Sequence, residues 1–293
     1  MNANAASMDG KICLVTGATS GIGQETALAL AARGAHVVMA GRNAERAESA
    51  RADVVARSGN ERVETLCADL STLSGVARLA SEFRKRHDSL HLLVNNAGVV
   101  NLNREVNADG FEVTFAVNHL AHFALTHQLL DLLRASAPAR VVSVSSEAHR
   151  FGAVDFDDLQ SERAYRGLPV VAAMRVYGTS KLQNLLFTAE LSRKLEGSGV
   201  TANAVHPGAV ATRFAHNNGA LGRLSTGLLR PFFRTPAQGA ATSIHVATAP
   251  ELAWVSGKYF QNERLANPSR AARDEASARR LWDVSLELSG LED

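Results

Sequence analysis

Tyr177 and Lys181 stand four residues apart in "MRVYGTSK", so on a helix the two side chains share one face. A tyrosine with an ordinary pKa of about 10 is ionised in roughly one molecule in a thousand at pH 7, too rarely to serve as an effective base. A lysine ammonium on the same face favours the phenolate, and the pair then reads as a device for passing a proton to or from a carbonyl oxygen. Chance also places Tyr and Lys at this spacing, but here the pair is unique. The other tyrosines, Tyr165 and Tyr259, have Pro169 and Glu263 at the fourth position. Proton transfer of this kind needs a second donor to orient the oxygen. The run "RVVSVSS" ends in Ser145 and Ser146, either of which offers a hydroxyl, although serines are frequent at strand ends.

A second constellation lies near the N-terminus. "TGATSGIG" follows a short apolar run and opens a helical stretch. Gly17, Gly21 and Gly23 permit a tight turn and a close backbone approach, and the helix N-terminus behind them suits a phosphate. The spacing is GxxxGxG. No Lys-Ser or Lys-Thr pair follows the last glycine, which disfavours Walker-type phosphate binding. Gly17, Thr19, Ser20, Gly21, Ile22 and Gly23 are therefore candidate contacts of a dinucleotide. The next strand ends in Gly41-Arg42-Asn43 without an acid to bind a ribose 2′-hydroxyl, so NADP(H) is expected in preference to NAD(H), with Arg42 on the 2′-phosphate. Asp69 and Leu70 in "CADL" are placed near the adenine, while an Asp at a strand end also serves as a helix cap.

These residues need elements to hold them. Apolar runs alternate with stretches of helical period: "KICLVT", a helix from Gly21 to about Arg33, "HVVMA", a helix from about Ala44, "RVETLCA", a further helix, and "LHLLVNNAG". A helix around Phe111 to Leu133, the strand "ARVVSVSS", a helix from about Arg175 to Leu195 and the strand "GVTANAVHPG" continue the series. Such alternation predicts an α/β fold of Rossmann type, a doubly wound parallel sheet with helices on both faces. Irregular stretches are expected at about Glu147 to Val171 and Ala211 to Pro236, both after strand C-termini, where ligands bind in open α/β sheets. No linker divides the 293 residues, so one domain is expected, with residues 1–10 a flexible lead and 211–236 a substrate-side loop.

With 31 basic and 29 acidic side chains, the net charge of +2 offers no general attraction to nucleic acid or an acidic membrane. Cys13 and Cys67 each lie in an apolar run without metal or redox spacing, and two buried thiols in a reducing compartment are expected. The leading "MNANAASMDG" has neither the core of a signal peptide nor the roughly 20 apolar residues of a membrane span, which predicts a soluble, cytoplasmic chain without a membrane anchor. His119, His122 and His127 lack an HExxH arrangement, so they are expected to be packed or capped and no metal is assigned. "LSTGLLRPFF", Leu224 to Phe233, fits a substrate lid, a shallow membrane contact or plain packing. In "SRAARDEASARRLW" the leucines and Trp282 are expected to face inward from a solvated helix.

Taken together, "TGATSGIG", "NNAG", "YGTSK" and "HPG" in this order resemble the short-chain dehydrogenase/reductase family over about Lys11 to Leu288. "SSEAHRFG", "DFDDLQSE", "SKLQNLLFTAEL" and "RRLWDVSLELSGL" resemble more narrowly its retinol dehydrogenase branch and the related WW-domain-containing oxidoreductase, although no WW domain is present and "GLPVVAAMRV" lengthens the approach to Tyr177. The resemblance implies a catalytic set of Asn118, Ser146, Tyr177 and Lys181. Ser146 is preferred to Ser145 because the family's serine is followed by two residues and then a small one, a slot filled here by His149. Asn118 would hold a water linked to Lys181. Asn96, Ala97, Gly98, Pro207 and Gly208 would line the cofactor, and Val210 and Thr212 would fix the carboxamide. The implied reaction is hydride transfer between nicotinamide and a small apolar alcohol or carbonyl substrate, by a possible homo-oligomer. A conjugated C=C reductase of the same fold and a non-catalytic NADP(H)-binding sensor or partner-binding protein are the alternatives.

Overall fold

The computed structural model describes residues 6–210 and 234–292. The strands are β1 (Ile12–Thr16), β2 (His36–Gly41), β3 (Val63–Cys67), β4 (Leu92–Asn95), β5 (Ala139–Val144), β6 (Val200–His206), β7 (Tyr259–Gln261) and β8 (Arg264–Leu265). They form one sheet in the order β3-β2-β1-β4-β5-β6-β7-β8. Every neighbouring pair is parallel except β7 with β8. The chain winds outward from β1 in one direction and from β4 in the other, which opens a crevice between their C-terminal ends.

Both faces are covered, as the unbroken apolar strands require. Period-2 alternation sends Cys13, Val15, Val37 and Met39 to one face, where they join Leu30 of α1 (Gly21–Ala31), Val54 of α2 (Ala44–Ser58) and Val246 of a later helix. Leu14 and Val38 point the other way, toward Phe83 of α3 (Leu73–Arg86) and the aromatic trio Phe123, Phe187 and Trp282. No helix among the described residues is long and apolar enough to cross a membrane.

Three expectations change. The helix expected over about Phe111 to Leu133 is four pieces: α4 (Val113–Phe115), a π turn over Ala116–Leu120, α5 (Ala121–Gln128) and α6 (Leu130–Ala135). Buried Glu112 caps the start by accepting from Thr114 N and Phe115 N at 2.8 and 2.7 Å, and Leu129 leaves helical geometry at φ −110°, ψ 8°. Apolar periodicity survives these breaks, which is why the sequence reads as continuous. The helix of the Tyr/Lys pair, α7 (Pro169–Lys194), starts a turn and a half before the expected Arg175. Proline at the first helical position donates no hydrogen bond and has its φ preset, so Pro169 begins a helix rather than prolonging a loop. The irregular stretch after Ser146 thus ends at Leu168, following a short 3-10 turn at Glu147–Phe151. Finally, Cys13 is buried but Cys67 is exposed, because Cys67 is the last residue of the edge strand β3.

Two helices close the fold. Thr235 and Gln238 form a reciprocal capping box at α8 (Pro236–Thr248). Asp274 accepts from Ser277 N to start α9 (Glu275–Ser289), and Gly290 at φ 63° ends it. As expected from the sequence, Leu281 and Trp282 of α9 face inward. His119 and His122 are buried as well, and His119 Nε2 lies 2.9 Å from Ser285 Oγ of α9.

Candidate active site

The glycine turn is knitted to the end of β4. Thr16 Oγ1 accepts from Asn96 N at 2.9 Å and Ala97 N at 3.0 Å, and Asn96 Nδ2 donates to Thr16 O at 2.8 Å. Gly17 (φ 64°) and Gly23 face this junction, where a Cβ on Gly17 would come within 2.9 Å of Ala97 Cα and one on Gly23 within 2.4 Å of Gly17 O. Backbone on both sides cannot yield, so glycine is required at both positions. The α1 N-terminus then faces the crevice with no side chain capping it, because Ser20 makes no cap hydrogen bond. Such a cradle fits a pyrophosphate. Asn96 contributes by bracing the turn, since its amide is spent on Thr16 and Gly17.

Around Tyr177 the polar groups are tied to backbone. Lys181 is buried, its Nζ donates to Val144 O at 2.9 Å, and it lies 5.6 Å from the centre of the Tyr177 ring. Ser145 Oγ donates to Lys181 O at 2.8 Å and is buried behind α7. Ser146 is on the other side of the strand end and hydrogen-bonds the Tyr177 hydroxyl. The alternation of β5 therefore separates the two serines that the sequence leaves open. Asn118, in the π turn, accepts from Val99 N at 2.8 Å and donates to Val99 O and Ser180 Oγ, at 3.0 and 2.9 Å. Ser180 Oγ in turn donates to Tyr177 O at 2.7 Å. The Asn118 amide thus joins the β4 exit to the tyrosine's own turn of helix.

The electrostatics differ from the simple reading. Burial pushes the Tyr177 hydroxyl up to about 12, only partly opposed by the Ser146 hydrogen bond, and burial brings the Lys181 ammonium down to about 7. A desolvated site penalises both charged forms, so the four-residue spacing alone does not make the phenol acidic. At neutral pH the tyrosine is a proton donor, and burial weakens the hold of Lys181 on its proton.

Two features behind Ser146 had no clear sequence signal. His149 Nε2 accepts from Ser269 N at 3.0 Å, so the neutral ring carries its proton on Nδ1, which lies 2.7 Å from Ser146 O and donates to it. One imidazole therefore clamps the serine's carbonyl to the segment before α9. Gly178 and Gly152 meet without side chains: a Cβ on Gly178 would be 2.5 Å from Ala148 O, and one on Gly152 2.4 Å from Gly178 O. This contact sets the distance between the Ser146 turn and the turn of α7 that carries Tyr177. A glycine inside a helix costs about 1 kcal/mol relative to alanine, and Gly178 beside Tyr177 was the one hint of it.

The outer candidates are placed as follows. Arg42 and Asp69 follow the neighbouring strands β2 and β3 at the crevice edge, and both are exposed. Asp69 Oδ1 accepts from Ser71 N at 3.0 Å, while Thr72 caps α3. Leu70 and Gly98 are half-buried, and Ala97 and Pro207 are buried. Gly208 has φ 84°, and a Cβ there would strike the Arg234 side chain at 2.7 Å. Val210 reaches the first turn of α1: a Cβ on Gly239 would lie 2.6 Å from Val210 Cγ2 and 3.2 Å from Ile22 Cγ1. Thr212 and Leu224 to Phe233, with nearly all of the expected substrate-side loop, lie outside the described residues.

Comparison with known proteins gives the family and the fold. A family model described as short chain dehydrogenase matches residues 11–156. Retinol dehydrogenase 12 of Mus musculus is 45% identical over 283 residues, covering 97% of this chain and 87% of that protein. A crystal structure of an uncharacterized protein from Mycobacterium paratuberculosis superposes with a TM-score of 0.78 at 33% identity, covering 99% of this chain and 97% of that one. The RhlG/NADP active-site complex of Pseudomonas aeruginosa superposes with a TM-score of 0.68 at 28% identity, covering 87% of this chain and 95% of that one.

Proposed function

This chain belongs to the short-chain dehydrogenase family and is an oxidoreductase, and from that premise we infer that it transfers a hydride between NADP(H) and an apolar alcohol or carbonyl compound. The observation that carries the reading is the Ser146–Tyr177 hydroxyl pair with Lys181 one turn along α7. Relatives named for retinol make a long apolar alcohol or aldehyde the first substrate to try. NADP(H) is preferred because Arg42 rather than an acid follows β2, and a structural neighbour was solved with NADP.

In this reading the glycine cradle of Gly17, Gly21 and Gly23 holds the pyrophosphate. Thr19, Ser20 and Ile22 line the same turn, Arg42 meets the 2′-phosphate and Asp69 and Leu70 border the adenine. Asn96, Ala97 and Gly98 floor the nicotinamide ribose, with Pro207, Gly208 and Val210 on the nicotinamide side. The bound cofactor supplies or accepts the hydride at the substrate carbon. In reduction, Ser146 donates a hydrogen bond to the carbonyl oxygen, and Tyr177 passes that oxygen its proton as the alkoxide develops. In oxidation the same phenol must first be deprotonated. Lys181 in its ammonium form stabilises that phenolate and bonds a ribose hydroxyl. Asn118 fixes the helix turn that carries Tyr177 and holds a water linked to Lys181.

The single sheet formed by the strands supports reading the chain as one domain. Free Cys13 and Cys67 suit a cytoplasmic setting. Helix α9 packs on α5 and α7, with Trp282 4.9 Å from Phe123 and stacked on Phe187 at 6.1 Å, so a homo-oligomer would not pair through that contact.

The test is NADPH oxidation across aldehydes and ketones of graded size, repeated with NADH and with Tyr177→Phe. Turnover of apolar carbonyls with NADPH, lost in the variant, supports the reading. Tight cofactor binding without any turnover across the panel returns the non-catalytic alternative, and a large NADH preference removes the role of Arg42.

A further inference from the structure

At the opposite edge of the sheet, three residues far apart in sequence converge. His36 opens β2, Glu64 is the second residue of β3, and His87 ends α3. Glu64 Oε1 lies 2.8 Å from His36 Nε2 and 2.8 Å from His87 Nε2, and the three ligand atoms all fall within 4.8 Å of one another. Among the described residues this is the one group of three or more His, Cys, Asp or Glu side chains so arranged.

A hydrogen-bonded hub centred on Glu64 accounts for part of this arrangement but not for His87. That side chain is 7% exposed, and its Nε2 makes no hydrogen bond of acceptable geometry despite its closeness to Oε1. A buried imidazole nitrogen beside a carboxylate with no directed partner suits an ion better than a proton. The cluster also sits at the C-terminal end of the 14-residue α3, where the helix dipole favours a cation.

We propose that His36, Glu64 and His87 bind one divalent transition-metal ion of the zinc type. Two imidazoles and a carboxylate are a zinc ligand set, whereas calcium and magnesium prefer oxygen alone. Bonds of about 2.0–2.2 Å separate tetrahedral ligand atoms by roughly 3.4 Å. The two 2.8 Å contacts therefore open by about half an ångström on loading, within reach of side-chain rotation at half-exposed His36 and Glu64. Water on that exposed side completes the coordination. Arg86 Nη1 holds Glu64 Oε2 at 3.1 Å, leaving Oε1 for the ion, but its charge opposes the cation and makes the site a weak one.

The test is titration of the metal-stripped full-length chain with zinc chloride by calorimetry, and with cobalt(II) by visible absorption. Wild type should bind one zinc per chain and gain thermal stability with it. His36→Gln and Glu64→Gln should each weaken binding by at least about tenfold. Arg86→Gln should tighten it, while His245→Gln in α8 should leave it unchanged. His87 stays intact because it packs against Phe83, with ring centres 4.8 Å apart. Absence of saturable one-to-one binding below about 100 μM overturns the proposal. Binding indifferent to His36→Gln and Glu64→Gln does so too, and identifies an adventitious ion only. Each readout is independent of turnover, so failure here leaves the oxidoreductase reading standing.

Discussion

The two ends of the same parallel sheet are built on different principles. At the C-terminal ends of the strands, polar side chains are fastened to backbone: Lys181 to Val144 O, Ser145 to Lys181 O, Asn118 to Val99, and His149 between Ser146 O and Ser269 N. The Ser146 and Tyr177 hydroxyls face one another, with Ser146 Oγ also accepting from Ala148 N at 3.2 Å. At the N-terminal ends, side chains partner side chains, with His36 and Arg86 paired to Glu64 and His87 lying beside it. Backbone partners fix positions that a reacting group needs, whereas mutual side-chain pairing leaves a cluster free to adjust around an ion.

The sharpest way to break the comparison is to remove the reacting hydroxyl. Tyr177→Phe should lower carbonyl turnover by about 10³-fold or more while cofactor binding, followed by fluorescence titration, stays within a few-fold. Retained turnover would remove Tyr177 from the chemistry. Next in size is the backbone contact. Gly178→Ala forces a Cβ to 2.5 Å from Ala148 O, displaces the Ser146 turn, and should cost roughly 100-fold in turnover and about 1–3 kcal/mol in denaturant unfolding. A fully active, equally stable G178A variant would show that the glycine contact does not set the geometry.

Smaller effects sharpen the contrast. His149→Ala breaks two hydrogen bonds and should reduce kcat roughly 5–30-fold with little change in the cofactor KM, and His149→Gln should restore part of the loss. A change in KM alone would make His149 merely structural. For pH, the folded Lys181 sits near 7 against an ordinary 10.5, so between those values the unfolded chain binds more protons and stability rises with pH. The thermal midpoint should therefore climb from pH 7 toward 9 in wild type, below the range where the raised Cys13 and Tyr177 values act in the opposite sense, and the slope should flatten in Lys181→Met. Turnover follows the same groups: reduction uses the protonated phenol available at neutral pH, while oxidation needs that phenol deprotonated and should gain relative to reduction as pH rises above neutral. The smallest expected effect is none: His36→Gln, at the far edge, should leave NADPH-dependent turnover unchanged. A loss there would show that the two ends are coupled.

Much of the active edge was legible because its signals are local. The glycine turn, the "NNAG" strand end and the Tyr/Lys spacing each lie within a few residues, and short-range backbone geometry turns such patterns directly into shape. The strands were legible for the same reason, since alternation along one strand is enough to mark it. The π turn that carries Asn118 was not, because apolar periodicity passes through it unchanged and the buried Glu112 cap shows only in three dimensions. The early start of α7 was missed differently: Pro169 marks a helix start as readily as a loop. Cys67 looked buried in an apolar run, but which strand lies at the edge of a sheet is a property of strand order.

The sequence alone determined a parallel α/β sheet, a glycine cradle at its crevice and a tyrosine and lysine on one helical face, because each announces itself in a short-range pattern: alternating elements, glycine spacing and a four-residue helical step. Tertiary structure decided which serine meets that tyrosine, through the direction in which β5 leaves the sheet. It decided the proton affinities of Tyr177 and Lys181, since burial is set by everything packed around them rather than by four-residue spacing. The clamp of His149 on Ser269 and the meeting of His36, Glu64 and His87 also belong to it. Those contacts join residues dozens of positions apart, and only the folded chain brings them within bonding distance.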